Sequence, residues 1–402
     1  MKKSDIEKVI DEQAEDRRAN LGMERDALPS IPVEPKFATI VTGVRRCGKS
    51  TMLNQWIEAC GRPSVAIHFD DLRLETFDTS DFLLLDDIVR ERKAEVLVLD
   101  EPQDIDGWER YVNGNLDKRR KVLVTGSNAK MLSRELGTKL TGRHLDAWLT
   151  PFTFAEFCRF ENQEPSAESV DDYLMRGGFP VYVESGRREI LQELFNDIIY
   201  RDIVVRYRLR DASSVRMLTT YLLSHVGCRI APSRLKGAIG VSSPATVLEY
   251  FDFLEETYLI KRIPRFCDSP KARMGAPKKV YACDTGLVSV METKDAVNFG
   301  HKLENLVFNR LATRNEPLSY YVNDEDETEC DFLVEQRDGG FEAIQVAYDL
   351  NSDNEEREIA GAVHAKERFG LKESLLVTRD RSDLINQGGK LIRVVPSSEF
   401  LA

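Results

Sequence analysis

Residues 43–50 constrain the fold of this 402-residue chain more than any other segment. They read Gly-Val-Arg-Arg-Cys-Gly-Lys-Ser, which fits the pattern G-x-x-x-x-G-K-[ST]. An apolar run rich in β-branched residues (37–43) leads into the segment, and an amphipathic run (51–59) follows it. A strand, a glycine-rich turn and a helix in this order form a loop whose backbone N–H groups enclose phosphates. The sequence therefore predicts a nucleotide-binding loop.

Individual residues of this loop have predicted chemical roles. Lys49 is expected to reach the β- and γ-phosphates of ATP, and the Ser50 hydroxyl is expected to bind Mg²⁺. The other residues predicted to contact the nucleotide are Gly43, Val44, Arg45, Arg46, Cys47, Gly48 and Thr51. ATP and Mg²⁺ are therefore the expected ligands.

Two acidic residues follow a second apolar run. Residues 96–99 read Val-Leu-Val-Leu and continue directly into Asp100 and Glu101. Acids at the carboxyl end of a buried strand suit phosphoryl transfer to water, with Asp100 orienting Mg²⁺ and Glu101 accepting a proton from the attacking water. Glu101 favours hydrolysis over a kinase or a simple nucleotide clamp.

Two polar residues further along the chain are additional candidates. Asn128 follows the strand-like run 121–127 and is expected to sense the γ-phosphate, with Ser127 as the alternative. Arg143 follows Gly142, and three alternatives stay open for it: contact with a neighbouring subunit's nucleotide, contact with its own nucleotide, or a surface ion pair. The first alternative predicts a homo-oligomer in which hydrolysis depends on assembly.

The composition excludes several classes of protein. The formal net charge of −12 is incompatible with a uniformly basic nucleic-acid coat, although residues 201–279 hold 15 Lys and Arg against 7 Asp and Glu. The seven cysteines never occur as C-x-x-C, which predicts a reduced protein without a zinc cluster. No apolar run approaches the roughly 18 residues of a membrane-spanning helix, and the first residues are too charged for a secretory signal. A cytoplasmic protein is expected.

A set of short motifs resembles the prokaryotic AAA-family ATPases that carry a C-terminal domain of unknown function. The motifs are T-G-V-R-R-C-G-K-S-T (42–51), L-D-E-x-Q (99–103), G-W-E (107–109), T-G-S-N-A-K (125–130), L-T-G-R (140–143), P-F-T-F-A-E-F (151–157) and G-G-F-P (177–180). The resemblance implies a P-loop ATPase core followed by a helical lid, a winged helix and a nuclease-like α/β domain. It also implies that Arg143 acts on a neighbouring subunit.

The expected fold class is α/β, with a P-loop NTPase sheet of parallel strands. Apolar strands at 37–43, 64–70, 95–101 and 121–127 alternate with helical patterns, which is typical of a parallel sheet covered on both faces. The predicted divisions are an N-terminal helical segment (1–35), an AAA-type core (36–152), a helical lid (153–212), a winged-helix module (213–275) and a restriction-endonuclease-like α/β domain (276–402).

The predicted winged-helix module is a candidate DNA-binding element. Its third helix would start at Ser243 and Pro244, but the polar face of that helix carries acids and no Lys or Arg. Weak duplex contact without sequence preference is therefore one hypothesis, and packing between domains or subunits is the other. The residues proposed to contact DNA are Ser242, Ser243, Thr246, Lys261, Arg262 and Arg265. Lys279 is counted with the exposed basic flank of this module.

The last domain resembles a PD-(D/E)XK nuclease core that lacks most of its chemistry. In an active member, acids at the positions of Asp331 and Gln345 would hold Mg²⁺, and a lysine at the position of Ala347 would help to activate water. Glutamine binds Mg²⁺ weakly and alanine transfers no proton. Glu342 lies three residues before Gln345, on the opposite face of a strand. A retained fold without nuclease activity is expected.

The sequence thus predicts an ATPase that couples its nucleotide state to the winged-helix and nuclease-like modules, with duplex DNA as a candidate target. One alternative is an ATP-dependent assembly switch with slow hydrolysis and no DNA role. A second alternative is an ATP-gated DNA nuclease, against which Gln345 and Ala347 count.

Overall fold

The computed structural model describes residues 1–127, 140, 142–291, 298–352 and 354–402. These residues form two compact units, one comprising residues 1–150 and 256–258, the other comprising residues 151–255 and 259–402. Within the described ranges, no helix is long and apolar enough to cross a membrane.

The first unit is built on one parallel sheet. Its strands are β1 (Ala38–Thr42), β2 (Ser64–His68), β3 (Val96–Asp100), β4 (Lys121–Gly126) and β5 (His144–Trp148). Its described helices are α1 (Lys3–Ala19), α2 (Lys49–Cys60), α3 (Asp81–Glu91) and α4 (Trp108–Asp117). Single 3-10 turns span Leu28–Ser30, Leu72–Leu74 and Pro102–Asp104. The strand order is β2-β3-β4-β1-β5, which is consistent with a P-loop NTPase and confirms an α/β fold with a parallel sheet.

The strands of this sheet end at one common edge. β1, β3 and most of β4 are buried along their whole length, as continuous apolar runs between two layers of helices predict. The register pairs His68 with Asp100, Asp100 with Thr125, and Thr42 with Gly126. The loop after β1 and the acids after β3 therefore share an edge, separated by β4.

The N-terminal helix α1 is part of this unit's core. Ile6, Val9 and Ile10 are buried in the hydrophobic cluster that also contains residues of β1, β2 and α3. The N-terminal ammonium of Met1 forms an ion pair of 2.8 Å with Asp81, the first residue of α3. The predicted N-terminal segment is thus packed onto the sheet.

The second unit begins with helices. They are α5 (Phe154–Glu161), α6 (Ala167–Arg176), α7 (Pro180–Ser185), α8 (Arg188–Asp197), a π-helical stretch (Ile198–Val205) and α9 (Ala212–Leu223). Side-chain caps define two of their starts. Thr153 and Glu156 form a reciprocal capping box on α5, and Ser166 and Ser169 do so on α6.

A small antiparallel sheet follows, in the order β6-β8-β7. Its elements are β6 (Arg229–Ile230), α10 (Pro232–Leu235), α11 (Pro244–Glu256), β7 (Ile260–Ile263), α12 (Pro270–Gly275) and β8 (Lys278–Ala282). The segment predicted as the winged-helix module contains helices, but its assignment as a winged helix stays a prediction. β8 pairs with β6 and β7, although the predicted domain boundary at residue 276 separates it from them.

The rest of the second unit contains a six-stranded mixed sheet in the order β13-β14-β12-β11-β10-β9. Its strands are β9 (Leu318–Val322), β10 (Glu329–Glu335), β11 (Phe341–Ala347), β12 (Ser374–Thr378), β13 (Asp383–Gln387) and β14 (Lys390–Pro396). The helices are α13 (Thr285–Met291), α14 (Phe299–Ala312), α15 (Glu355–Phe369) and α16 (Ser397–Leu401). The sequence did not predict β13, because this edge strand is largely exposed and has no apolar run.

Candidate nucleotide-binding site

The loop between β1 and α2 has a backbone that glycine makes possible. Gly43 has a φ of 154°, and a Cβ added there would lie 2.1 Å from the carbonyl oxygen of Leu149. Gly48, with a φ of 102°, directly precedes the first residue of α2. Both residues hold conformations that L side chains rarely adopt, so the loop can curve tightly before the helix begins.

Lys49 is the buried centre of this loop, with 5% of its surface exposed. Its Nζ donates hydrogen bonds to the carbonyl oxygens of Gly43 at 3.0 Å and Val44 at 3.2 Å. The same atom lies 3.7 Å from Oε1 of Glu101. A buried ammonium is costly unless it is paired, and these carbonyl groups and this carboxylate compensate it here.

The predicted loop residues differ in accessibility. Val44 and Cys47 are buried, Arg45, Ser50 and Thr51 are partly buried, and Arg46 is exposed. The burial of Cys47 raises the pKa of its thiol, so this residue packs as a neutral side chain. Among the loop residues, Lys49 and Ser50 point toward the carboxylates that end β3.

Asp100 ends β3 and is buried among hydrogen-bonding groups. Thr125 Oγ1 donates to its Oδ1, Ser50 also hydrogen-bonds to the carboxylate, and His68 Nδ1 lies 3.0 Å from Oδ2. Burial acts to raise the pKa of Asp100, but the hydrogen bond and charge of His68, with the hydrogen bonds of Thr125 and Ser50, outweigh it and lower that pKa. Contact with Asp100 raises the pKa of His68. Asp100 is therefore ionised at neutral pH.

The donor set of Ser50 and Asp100 fits Mg²⁺. This hard cation prefers oxygen ligands and is bound in nucleotide sites through one or two carboxylates together with substrate phosphates. A hydroxyl and an ionised carboxylate lie within hydrogen-bonding distance of each other here. These two residues would hold the ion between the loop and β3.

Glu101 is held in a specific orientation by three neighbours. Its backbone has a φ of 54°, and its N–H donates to Thr125 Oγ1 at 3.1 Å. Its Oε2 accepts hydrogen bonds from Gln103 Nε2 at 2.9 Å and from the backbone N–H of Ser127 at 3.1 Å. Sequence analysis assigned no role to Thr125 or Gln103, although both are polar residues beside strand ends.

Of the two predicted γ-phosphate sensors, Ser127 is among the described residues and Asn128 is not. Ser127, the alternative candidate, contacts Glu101 through its N–H and, at 3.3 Å, through its Oγ. Ser127 therefore helps to orient the Glu101 carboxylate. Asn128, the first choice, lies outside the described residues.

Arg143 lies at the opposite edge of the sheet. Its carbonyl oxygen accepts a hydrogen bond of 3.0 Å from the N–H of Ala38, the first residue of β1, whereas the nucleotide loop follows the last residue. Five strand residues at about 3.3 Å each separate these two edges. Nη1 of Arg143 contacts Asp117 Oδ1 at 2.8 Å. The geometry argues against contact with its own nucleotide, and contact with a neighbouring subunit stays a prediction.

The proposed DNA-contacting residues do not form a free basic surface. Arg262 donates to Asp252 at 2.6 Å and to Glu255, and 9% of its side chain is exposed. Arg265 pairs with Asp324 and also donates to the carbonyl oxygen of Val322. The remaining candidates have accessible surface: Ser242 and Lys261 are exposed, and Ser243 and Thr246 are partly buried.

The second unit contains a buried ionic cluster that the sequence analysis missed. Lys279 of β8, which that analysis counted as exposed, is 1% exposed. Its Nζ lies 2.8 Å from Glu304, 2.7 Å from Glu329 and 2.8 Å from Asp331. Burial is the largest cause that raises the pKa of Asp331, to about 8, and Glu304 adds to it while Lys279 opposes it. Nothing in the sequence indicated this burial, because Lys279 directly follows another lysine at the start of β8.

The cluster lines a cavity of about 1200 Å³ that also contains the predicted nuclease-like positions. Gln345 Oε1 accepts from the N–H of Asp331 at 3.1 Å, and its amide donates to Glu358 at 2.6 Å. Glu342 instead pairs with Arg314 at 2.7 Å and does not line the cavity. The ammonium of Lys279, and not a lysine at position 347, is therefore the cation beside Asp331, while Arg357 pairs with Glu358.

Comparisons with known proteins match two parts of the chain to domain families and give two relatives of the whole chain. The profile of the AAA domain matches residues 35–158, and that of a domain of unknown function, DUF8612, matches residues 167–297. The chain is 30% identical over 383 residues to the uncharacterized protein MJ1544 of Methanocaldococcus jannaschii, covering 89% of this chain and 85% of the relative. It is 27% identical over 354 residues to an uncharacterized protein of Haemophilus influenzae, covering 83% and 87%.

The ionic cluster around Lys279 leads to a stability prediction. Lys279→Met leaves two buried carboxylates, Glu304 and Asp331, without this cation, whereas Glu329 keeps its pair with Arg229. The change is expected to lower the free energy of unfolding by about 3–5 kcal/mol. Because burial already raises the pKa of Asp331 to about 8, removing the ammonium raises that pKa further. A carboxyl with a raised folded-state pKa stabilises below its unfolded-state value and loses that contribution as pH rises. The loss should therefore be larger at pH 8 than at pH 5.

Urea unfolding of the full chain at both pH values measures this effect. Lys278→Met is the matched control, because Lys278 is the exposed neighbour on the same strand. Equal stability of the two variants at pH 8 would show that the cluster is not a net source of stability.

Proposed function

We propose that this chain, which belongs to the family in which an AAA domain precedes a domain of unknown function, hydrolyses ATP at the loop of residues 43–51. The observation that carries the proposal is the burial of Lys49 in a glycine-rich loop beside the two carboxylates at the end of β3, Asp100 and Glu101. A loop lysine at a helix N-terminus binds the β- and γ-phosphates of a nucleotide, and its charge matches theirs.

Phosphate binding uses groups that the loop already presents. The N-terminal residues of α2 supply N–H groups directed at an anion. Lys49 exchanges its hydrogen bonds with the carbonyl groups of Gly43 and Val44 for phosphate oxygens. Because those carbonyl groups belong to the loop itself, the exchange requires a side-chain movement and no change in the sheet.

Ser50 and Asp100 are the residues that would hold Mg²⁺ beside the phosphates. When bound, the ion neutralises charge on the β- and γ-phosphate oxygens. Thr125 fixes the orientation of the Asp100 carboxylate, and contact with His68 keeps it ionised. These contacts prepare an anionic oxygen at the end of β3.

Glu101 is the proposed base of the hydrolysis. A water oxygen forms a bond to the γ-phosphorus, and the bond from that phosphorus to the bridging β–γ oxygen breaks. The products are ADP and inorganic phosphate, and Glu101 accepts the proton of the attacking water. Gln103 and Ser127 hold the carboxylate in place for this step.

An ATP-dependent switch with slow hydrolysis is a second candidate function. Both oxygens of the Glu101 carboxylate are engaged, Oε2 with Gln103 and Ser127 and Oε1 at 3.7 Å from Lys49. The base must give up some of these contacts before it accepts a proton, which favours slow turnover. A turnover number in the absence of any partner distinguishes the switch from a fast ATPase.

Duplex DNA is not part of this proposed function. Arg262 and Arg265 are engaged with carboxylates of the same unit, so charge reversal at either position would disturb internal ion pairs. The nuclease alternative is not supported either, because Gln345 and Ala347 replace an acid and a lysine that an active member would need. The neighbouring acids Asp331 and Glu358 are paired with Lys279 and Arg357.

Two substitutions should separate binding from hydrolysis. Lys49→Ala removes a charged donor to phosphate, and we expect ATP affinity to fall roughly 10- to 100-fold. Glu101→Gln keeps the size of the side chain but removes the base, so we expect turnover to fall about 10²–10⁴-fold with ATP affinity little changed. Calorimetric ATP binding and steady-state phosphate release measure the two effects.

Lys36→Ala is the control for the first substitution, because this exposed lysine belongs to the same unit and its side chain lies outside the loop. The assignment of Glu101 fails if Glu101→Gln hydrolyses ATP at the rate of the unsubstituted chain. The proposal as a whole fails if the unsubstituted chain neither binds nor hydrolyses MgATP.

The proposed role of Arg143 requires two subunits. If it reaches the γ-phosphate of a neighbour, Arg143→Ala should lower turnover by about 10³-fold with a much smaller effect on ATP affinity. Turnover per subunit should rise with protein concentration, because the site would be complete only in the assembly.

Mixing two inactive variants provides the test. Arg143→Ala subunits have an intact Glu101, and Glu101→Gln subunits have an intact Arg143, so a mixture should regain activity at hybrid interfaces. If the mixture stays inactive although the subunits co-assemble, the contact of Arg143 with Asp117 is its role.

A further inference from the structure

The N-terminal helix α1 brings an arginine, Arg17, to the nucleotide-binding edge. Ile6 and Ile10 are buried in the core of the first unit, and Gln13 and Arg17 continue the same helix face at spacings of three and four residues. The apolar start of the helix is therefore fixed on the sheet, and its last turns lie beside β2.

Gln13 attaches this part of α1 to the end of β2. Its side-chain oxygen accepts from the N–H of His68 at 3.0 Å, and its amide donates to the carbonyl oxygen of His68 at 3.1 Å. The amide also donates to Asp71 at 3.1 Å. Because His68 is the strand residue next to Asp100, these bonds fix α1 relative to the carboxylate that would hold Mg²⁺.

Arg17 and the nucleotide-binding residues line one cavity. This cavity has a volume of about 400 Å³, and Arg17, Ser50, Thr51, His68 and Asp100 are among its lining residues. It is therefore continuous with the position at which the ion and the terminal phosphate are expected.

The guanidinium of Arg17 is poorly satisfied by the described residues. Among the residues that the structure describes, its hydrogen bond is one of 3.4 Å to the carbonyl oxygen of Ala66, although a guanidinium carries several N–H donors. The nearby Glu58 is paired with the neighbouring Arg18. Burial lowers the pKa of Arg17, yet the group stays charged at any ordinary pH.

The second arginine of the cavity provides a contrast. Arg73 donates to both oxygens of Asp71 and also pairs with Glu12, so its donors are directed at carboxylates. Two arginines thus line the same cavity, and Arg17 is the one whose donors are left for a ligand. A partly buried guanidinium with unused donors favours an anion with several acceptor oxygens.

We propose that Arg17 binds the γ-phosphoryl group of ATP bound to its own chain and stabilises the charge that develops on its oxygens during hydrolysis. This inference rests on the proposed ATPase function and names a residue from outside the glycine-rich loop. Arg17 differs from Arg143 in position, because it is at the edge where β2 and β3 end. The reaction would then depend on an intact N-terminal helix.

Arg17→Gln tests this role with Arg18→Gln as the matched control. Both arginines are adjacent on α1, but the side chain of Arg18 is 71% exposed and pairs with Glu58 at 3.7 Å. For Arg17→Gln we expect turnover to fall by about 10³-fold, with KM for ATP changed only a few-fold. Arg18→Gln should hydrolyse ATP at the rate of the unsubstituted chain.

A transition-state mimic separates this role from a structural one. The binding of ADP with aluminium fluoride should weaken strongly in Arg17→Gln, whereas the binding of ADP alone should not change. If the substitution disturbs folding, ADP affinity and the melting temperature will fall as well. In that case Arg17→Ala with added guanidinium ion provides a second test, because free guanidinium should restore part of the turnover.

Subunit mixing distinguishes Arg17 from Arg143. Arg17 and Glu101 would serve the same nucleotide from one chain, so a mixture of Arg17→Gln and Glu101→Gln subunits should stay inactive. Recovery of activity in this mixture would overturn the assignment to the same chain. Turnover of folded Arg17→Gln within about threefold of the unsubstituted chain would overturn the inference, whereas absence of turnover in the unsubstituted chain would instead defeat the proposed ATPase function.

Discussion

The buried ammonium of Lys49 is the interaction on which the nucleotide site depends. It lies at the start of α2, where the carbonyl groups of Gly43 and Val44 and the carboxylate of Glu101 surround it. An ammonium cannot stay buried without such partners. The tight curve of the loop provides two of them, and the parallel sheet provides the third by ending β1 and β3 at one edge.

The same edge gathers groups from four parts of the chain. The end of β3 contributes Asp100, the next residue is Glu101, and β4 contributes Thr125, which contacts both of them. β2 contributes His68, and α1 contributes Gln13, which is bonded to His68. Each strand end thus holds its neighbour in position, and a nucleotide at the loop would be in contact with this network through Lys49 and Ser50.

Much of the first unit could be predicted from the sequence because its signals are local. The four apolar runs of the sheet, the loop at residues 43–50 and the acids at 100 and 101 are continuous segments with a recognisable order. Gln13 and Arg17 could not be predicted, because nothing in a helical pattern shows which strand end the helix will contact. The burial of Lys279 could not be predicted for a related reason: its three partners are 25 to 52 residues away, and a lysine next to another lysine is typical of a surface.

A crystal structure of the chain with Mg²⁺ and a non-hydrolysable ATP analogue tests the central claim most directly. The account predicts that Lys49 Nζ leaves the carbonyl oxygens of Gly43 and Val44 and lies about 3 Å from a phosphate oxygen. Asp100 and Ser50 should then be on the side of the phosphates that faces β3. A structure in which the analogue binds elsewhere, with Nζ still bonded to both carbonyl groups, would contradict it.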